Sequence, residues 1–326
     1  MNNLNQLATV IVRSVGERTE QLCRQLIVAQ GFAPDNVATV NLTPFSAAFR
    51  KCCEIGIERD RRWTFCVDAD TLLRPGAAAE LLRQAERQAG EVCEIQGWII
   101  DKLFDGPRQA GNHLYRTSML PHIIAAIPTE SVDVRPERHT LQRMHDQGFP
   151  WREVPVVLGI HDFEQSYRDL FRKCFVHARK HIRQTDYLIP LWRRKAEQDQ
   201  DFLIAVKGFA GGLESLGETL IDASQPVYSE LFSRLEIEEK STLSAQSISP
   251  ETIGDMVDHW HSGPEYRAKF AKRNQTQLGR GEPSSASFFQ AFKKNLQDVG
   301  PGKILPHYAG WLLKNCGERM FKWSCR

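Results

Sequence analysis

The sequence predicts an α/β fold: a largely parallel sheet interleaved with helices in the first half, followed by a mostly helical region. Three observations carry this. Short β-branched apolar runs alternate with amphipathic segments from Ala8 to His161. Proline or glycine stands at the junctions, as at Thr43-Pro44, Pro75 and Gly148. From Phe163 onward the apolar residues recur at helical spacing and strand signals stop, which divides the chain into an α/β domain at 1–165 and a helical region at 166–326.

The elements follow in order. Ala8 to Val12 is a compact run suited to a buried strand, and Glu17 to Gln30 places Leu22, Cys23, Leu26 and Ile27 on one helical face. Val37 to Leu42 is a second strand. Thr43 as N-cap and Pro44 at the first helical position then open a helix through Glu58, with Phe45, Ala48, Phe49, Cys52 and Cys53 as its buried stripe. Trp63 to Val67 is a third strand that runs directly into Asp68-Ala69-Asp70, and Pro75 starts a helix that reaches Gly90. Val92 to Ile100 is a strand, Gly106-Pro107 a turn, His113 to Arg116 a short strand, and a helix or turn lies near Leu120. Arg135 to Gln147 is a helix stopped by Gly148, and Trp151 to Leu158 a strand that ends at Gly159-Ile160-His161. Residues 240–250 and 279–287, rich in Ser, Pro and Gly, read as linkers.

Composition bounds the function. The chain has 326 residues, 41% hydrophobic and 25% charged, which is the balance of a soluble globular protein with a sizeable core. A formal charge of +2 gives no reason to expect nucleic acid as partner. Eight cysteines without a C-x-x-C pair, several inside apolar runs, read as reduced core residues. No basic-then-apolar segment opens the chain, and no run approaches the roughly 18 to 20 apolar residues that span a bilayer. The expectation is a cytoplasmic protein.

Asp68-Ala69-Asp70 stands at the carboxyl end of an apolar strand, the edge where open α/β sheets bind their ligands. Two carboxylates one residue apart can reach one cation if the chain turns there. Such hard oxygens suit Mg²⁺ or Mn²⁺, ions that bridge the phosphates of nucleotide substrates and offset charge on a diphosphate leaving group. The bland alternative is two solvated loop aspartates.

Three stretches resemble family 2 type glycosyltransferases with the GT-A (Rossmann-like) fold. Asn41 to Leu73, NLTPFSAAFRKCCEIGIERDRRWTFCVDADTLL, looks like the donor-binding core. Ala8 to Gln30, ATVIVRSVGERTEQLCRQLIVAQ, resembles the first strand and helix, which contact base and ribose. Pro136 to His161, PERHTLQRMHDQGFPWREVPVVLGIH, resembles the segment that runs from an acid through a helix and strand to a histidine. The likeness covers the first 165 residues, and in place of the family's acidic pair this chain has Pro136-Glu137-Arg138.

The resemblance implies a nucleotide-sugar donor, a carbohydrate, lipid-linked or protein acceptor, Mn²⁺ or Mg²⁺ as cofactor, and inversion at the sugar. It makes Asp70 the principal metal ligand, with Asp68 a partner to the metal or ribose and His161 the third ligand or a diphosphate contact. Glu137 is the implied general base, and Arg13 and Glu17 lie where the donor's base or ribose would sit. Each has a plainer reading: a surface histidine for His161, a first-turn glutamate stabilised by the helix dipole for Glu137, and a local ion pair for Arg13 with Glu17. His113 and Arg116 fall in the stretch that should cross the active site. His177 and His181, four apart among basic residues, read as a solvated face rather than a metal pair.

From Ser166 to Gln200 nine Lys or Arg stand against four Asp or Glu, interleaved with aromatic and aliphatic residues, as in helices that pack an apolar stripe and solvate a basic face. The stretch 303–326 joins Trp311, Leu312, Met320, Phe321 and Trp323 to Lys303, Lys314, Arg319, Lys322 and Arg326, a pattern that suits peripheral contact with an anionic membrane face. Two rivals stand beside the transferase reading. A nucleotidyltransferase uses similar carboxylates but a Gly-rich, basic phosphate loop, where Ser14 to Arg18 has one glycine. An inactive GT-A-like module would bind a partner instead.

Overall fold

The structure is a computed structural model, and it describes residues 4–128, 135–215, 222–244 and 247–262. Helix α1 (Leu4–Leu7) leads into β1 (Ala8–Ser14), all of whose residues are buried, and α2 (Glu20–Ala29) buries Leu22, Cys23, Leu26 and Ile27 as its apolar spacing requires. Strand β2 (Val37–Asn41) follows, and then α3 (Phe45–Arg59). Pro44 rather than Thr43 takes the N-cap: it is extended at φ −73, ψ 177, and its carbonyl accepts the Ala47 and Ala48 amides. Strand β3 (Trp63–Asp68) gives way after two turn residues to β4 (Thr71–Leu73), a strand the local pattern does not announce. Helix α4 (Ala77–Ala85) starts past Pro75, with Gly76 at φ 74 as its cap.

Strand β5 (Glu94–Asp101) pairs with β6 (Gly106–Arg108), so the expected turn at Gly106-Pro107 is itself a strand, and the reversal lies before it. Strand β7 (Asn112–Arg116), α5 (Leu120–Ala126), α6 (Pro136–Asp146) and β8 (Trp151–His161) complete the sheet and its cover. The β5–β8 register shifts between Gln96 and Trp98, opposite the stretch that contains Pro155, whose ring nitrogen has no proton to give a ladder.

The sheet has eight strands in the order β2-β1-β3-β7-β5-β8-β4, with β6 beside β5. Strands β1, β2, β3, β5 and β8 run one way, and β4, β6 and β7 the other. The majority direction brings the carboxyl ends of β1, β3, β5 and β8 to one edge, with Arg13, Asp68, Asp101 and His161 there. Apolar clusters cover both faces: Val10, Val12, Phe65, Leu72, Leu81 and Ile160 belong to one, and Ile11, Phe49, Cys52, Cys66, Tyr115 and Met144 to the other. The alternation of Val10, Ile11 and Val12 between the clusters is the period-2 rule at work.

The chain divides into two compact units, described here by residues 4–170 with 222–262, and by residues 171–215. In the first, α10 (Pro226–Ser233) and α11 (Pro250–Ser262) follow, and α11 brings Ile253 and Val257 against β4 and β8. The extended residues between these helices are anchored: the Glu239 carboxylate accepts the Tyr167 and Arg168 amides at 2.6 and 2.9 Å, and Arg18 Nε donates to the Ser241 carbonyl at 2.7 Å. The second unit contains most of α7 (Tyr167–Lys180), with α8 (Thr185–Lys195) and α9 (Gln200–Glu214). There Trp192 meets Phe209 edge to face at 5.8 Å. His177 is buried rather than solvated, its ring 4.9 Å from that of His181.

Among the described residues six cysteines are free and buried, and no helix is long and apolar enough to cross a membrane. The basic stretch 303–326, the linker at 279–287 and Cys316 and Cys325 lie outside the described residues.

One glycine sets how closely β4 approaches β8. A Cβ on Gly159 would stand 2.0 Å from the Leu72 carbonyl oxygen, which is backbone and cannot rotate away. Gly159→Ala is therefore expected to lower the unfolding free energy by about 1–3 kcal/mol, the usual cost of overpacking, read as a lower urea midpoint. An unchanged midpoint would mean that the two strands separate without penalty.

Candidate functional site

Register decides which side chains meet at the carboxyl edge. Parallel pairing of β1 with β3 sets Arg13 opposite Asp68, and antiparallel pairing of β4 with β8 sets Thr71 opposite His161. Asp68 and Asp70 flank the crossing from β3 to β4, so they face different partners. The Asp68 carboxylate accepts from Arg13 Nε at 2.7 Å. Asp70 Oδ1 lies 3.2 Å from His161 Nε2, and its backbone carbonyl accepts the Asp162 amide at 3.3 Å.

His161 is the centre of the second group. Its Nδ1 is 3.0 Å from Asp101 Oδ2 and 3.0 Å from Asp162 Oδ2. Asp70, His161 and Asp162 are all buried, and each can offer one ligand atom with all three atoms within 4.8 Å of one another. Asp162 reaches this position because it adopts the left-handed conformation at φ 63, which turns the chain just after β8. Burial alone would push the His161 imidazole down, but the carboxylates of Asp162 and Asp70 and the hydrogen bond that His161 donates to Asp101 hold it well above its ordinary value. Gly111 leaves room for the group. At φ 63, a Cβ there would stand 2.0 Å from Thr71 Oγ1 and 3.0 Å from His161 Cδ2.

Around Arg13 the charges alternate through the protein. Arg13 Nη1 donates to Glu137 Oε1 at 2.7 Å and the guanidinium lies 5.0 Å over the Phe45 ring. Tyr115 Oη donates to Glu137 Oε1 at 2.7 Å, His113 Nε2 is 2.9 Å from Glu137 Oε2, and His113 Nδ1 is 2.6 Å from Glu94 Oε1. The sequence Glu94, His113, Glu137, Arg13, Asp68 thus interleaves three carboxylates with two cations. Burial would raise the Glu137 carboxyl, but Arg13 and His113 hold it well below the usual carboxylate range. Burial would lower the His113 imidazole, but Glu137 and Glu94 outweigh it and raise it to about 10.

These shifts predict a pH dependence. His113, whose folded value exceeds its unfolded one, contributes stability that is complete below about pH 6.5 and lost as pH rises through about 10. Glu137, depressed in the fold, contributes stability that is complete above about pH 4.5 and lost as pH falls. The urea midpoint is expected to peak between about pH 5 and 6.5 and to decline toward pH 10, with the alkaline decline weakened in His113→Gln. An equal decline in that variant would assign it to other groups.

Of the residues singled out in the sequence, Asp70 and His161 meet each other, while Asp68, Arg13 and Glu137 form a second cluster. Arg13 pairs with Asp68 and Glu137. Glu17 folds its own loop, where its Oε2 accepts the Ser14 hydroxyl at 2.9 Å and the Val15 amide at 2.7 Å. Glu20 adds a second carboxylate at Ser14 Oγ, 2.5 Å away. Arg116 lies at the other end of β3, opposite Trp63 and 4.6 Å over its ring, away from the carboxyl edge. Asp101 and Glu94 escaped sequence reasoning, since each reads locally as the end of an apolar strand.

No protein-family model matches the chain, and no curated protein matches it. Solved structures that match part of the chain include two with low overlap. One is a glycosyltransferase involved in the glycosylation of the major capsid of PBCV-1, 12% identical over 46% of this chain and 82% of that one, with a TM-score of 0.33. The other is CMP:2-keto-3-deoxy-manno-octonic acid synthetase complexed with CTP, 10% identical over 48% of this chain and 92% of that one, also at 0.33. With overlap of that extent, the functional reading rests on the site's own geometry.

Proposed function

We propose that this chain is a metal-dependent glycosyltransferase that moves a sugar from a nucleotide-sugar donor to an acceptor hydroxyl, with inversion at the anomeric carbon. The observation that carries the proposal is the Asp70, His161 and Asp162 group at the carboxyl edge of the sheet. Two carboxylates and an imidazole, buried and convergent, suit Mn²⁺ or Mg²⁺ in charge and donor type, with positions left for phosphate oxygens and water. When bound, the cation would neutralise the charge that grows on the departing diphosphate.

The chain's own residues do the rest. Asp70 and Asp162 bring the negative charge that attracts the ion, and His161 exchanges its proton for it, so that binding favours higher pH. Arg13, fixed between Asp68 and Glu137, holds Asp68 where a ribose hydroxyl can reach its second oxygen. The three donors on the Glu137 carboxylate support an anchoring role in place of general base, because a carboxylate below its usual range accepts a proton poorly. The loop after β1 speaks against the nucleotidyltransferase rival: Glu17 and Glu20 converge on Ser14 there, where such an enzyme needs positive charge for a triphosphate.

A thermal-shift screen of UDP, GDP, CMP and dTDP sugars with and without Mn²⁺ tests the proposal. One donor is expected to raise Tm only with the metal, by an amount equivalent to about 2.7 kcal/mol at 100-fold above its Kd. Shifts that ignore Mn²⁺, or no shift with any donor, would overturn it.

A further inference from the structure

We infer that Asp101 is a positioning residue that fixes His161 with its Nδ1 proton directed inward, leaving Nε2 as the atom that faces the cation. The inference rests on the metal reading of Asp70, His161 and Asp162. Asp101 sits opposite His161 in the β5–β8 register and is fully buried. Its Oδ2 lies 3.0 Å from His161 Nδ1 and accepts from Arg108 Nε at 2.5 Å, while its Oδ1 accepts the Phe104 amide at 2.9 Å. Arg108 is itself steadied, with its guanidinium 4.4 Å over the Phe104 ring, and β6 holds its backbone against β5.

The two carboxylates near Nδ1 differ in their mountings. Asp101 belongs to a strand and is gripped at both oxygens, whereas Asp162 stands on the turn after β8 and carries a ligand oxygen of the candidate set. Asp101 therefore keeps the Nδ1 proton while Asp162 turns to the ion. On the opposite side of the ring, Nε2 faces Asp70 Oδ1 at 3.2 Å. A carboxylate behind a ligating imidazole fixes its tautomer and ring orientation and strengthens the ligand.

The test is a titration of the full chain with Mn²⁺ alone, following the free-ion signal by electron paramagnetic resonance. Asp101→Asn, which can turn its amide N–H toward Nδ1 and so favour the wrong tautomer, is expected to weaken Mn²⁺ by about 10–100-fold. Arg108→Gln, which leaves Asp101 in place but loosens it, is expected to weaken it less. Long-range ¹H–¹⁵N spectra of the Mg²⁺-saturated wild type are expected to show the His161 proton on Nδ1, a signature that a merely structural role would not require. If Asp101→Asn fails to fold, Arg108→Gln and the wild-type spectrum decide. Asp101→Asn with wild-type affinity while His161→Ala loses binding, or a proton found on Nε2, would overturn the inference and leave the metal reading standing. Wild-type protein that binds no Mn²⁺ would overturn both.

Discussion

Asp70→Asn is expected to weaken Mn²⁺-dependent donor binding by on the order of 100-fold or more, whereas Asp68→Asn should leave Mn²⁺ affinity within a few-fold of wild type. The contrast follows from the crossing between β3 and β4. Asp70 faces His161 beside β8, but Asp68 is spent on Arg13 beside β1. Asparagine preserves the volume at either position, so the fold should survive and calorimetry with Mn²⁺ and donor can compare the two. Asp68→Asn should instead act on the donor, through the ribose contact proposed for its second oxygen. Equal losses at the two positions would mean that both aspartates share one cation, and the separation drawn from the strand register would be wrong. Full affinity in Asp70→Asn would remove the metal proposal itself.

The second large effect lies at Glu137. Glu137→Gln takes the negative charge from between Arg13 and His113 and leaves two cations facing each other in a buried setting. Removing one partner of a buried ion pair costs about 3–5 kcal/mol when the remaining charge is left without compensation; here Asp68 still pairs with Arg13 and Glu94 with His113, so that figure is a ceiling. We expect a loss of about 1–3 kcal/mol in unfolding free energy at pH 7, the cost of a buried hydrogen-bond network left partly unsatisfied, read by urea denaturation, with donor affinity reduced as Arg13 shifts. A general base would behave differently, with stability nearly unchanged while turnover falls by about two to four orders of magnitude. The paired measurement therefore separates an anchor from a base at this position.

Much of this architecture is legible locally. The β-branched runs at Ala8 to Val12 and Trp63 to Val67 form strands because little else buries such residues, and the helical spacing of Leu22, Cys23, Leu26 and Ile27 matches the face that α2 buries. What escapes is set by pairing between distant segments. Strand β4 is three residues long, too short to show a period, and exists because β8 offers it an edge. Asp101 and Glu94 look like ordinary strand ends until register sets them beside His161 and His113. Asp162 appears as a loop aspartate until its positive φ turns it inward. The division of Asp68 from Asp70 is hidden for the same reason, since adjacency in sequence suggests a shared ligand and only the topology sends them to different neighbours.

The interruption of the first unit by residues 171–215 has a consequence for synthesis. The apolar cluster that β4 and β8 join is closed by Ile253 and Val257, which leave the ribosome 87 residues after residue 170 in the case of Val257. At typical rates of about 5–20 residues per second that is a delay of roughly 4 to 17 s. During it, the part of β4 and β8 that α11 will meet waits in a nascent polypeptide whose other strands can already pair. Vectorial folding of this sheet therefore has a built-in pause, and the intervening helical segment supplies part of its length.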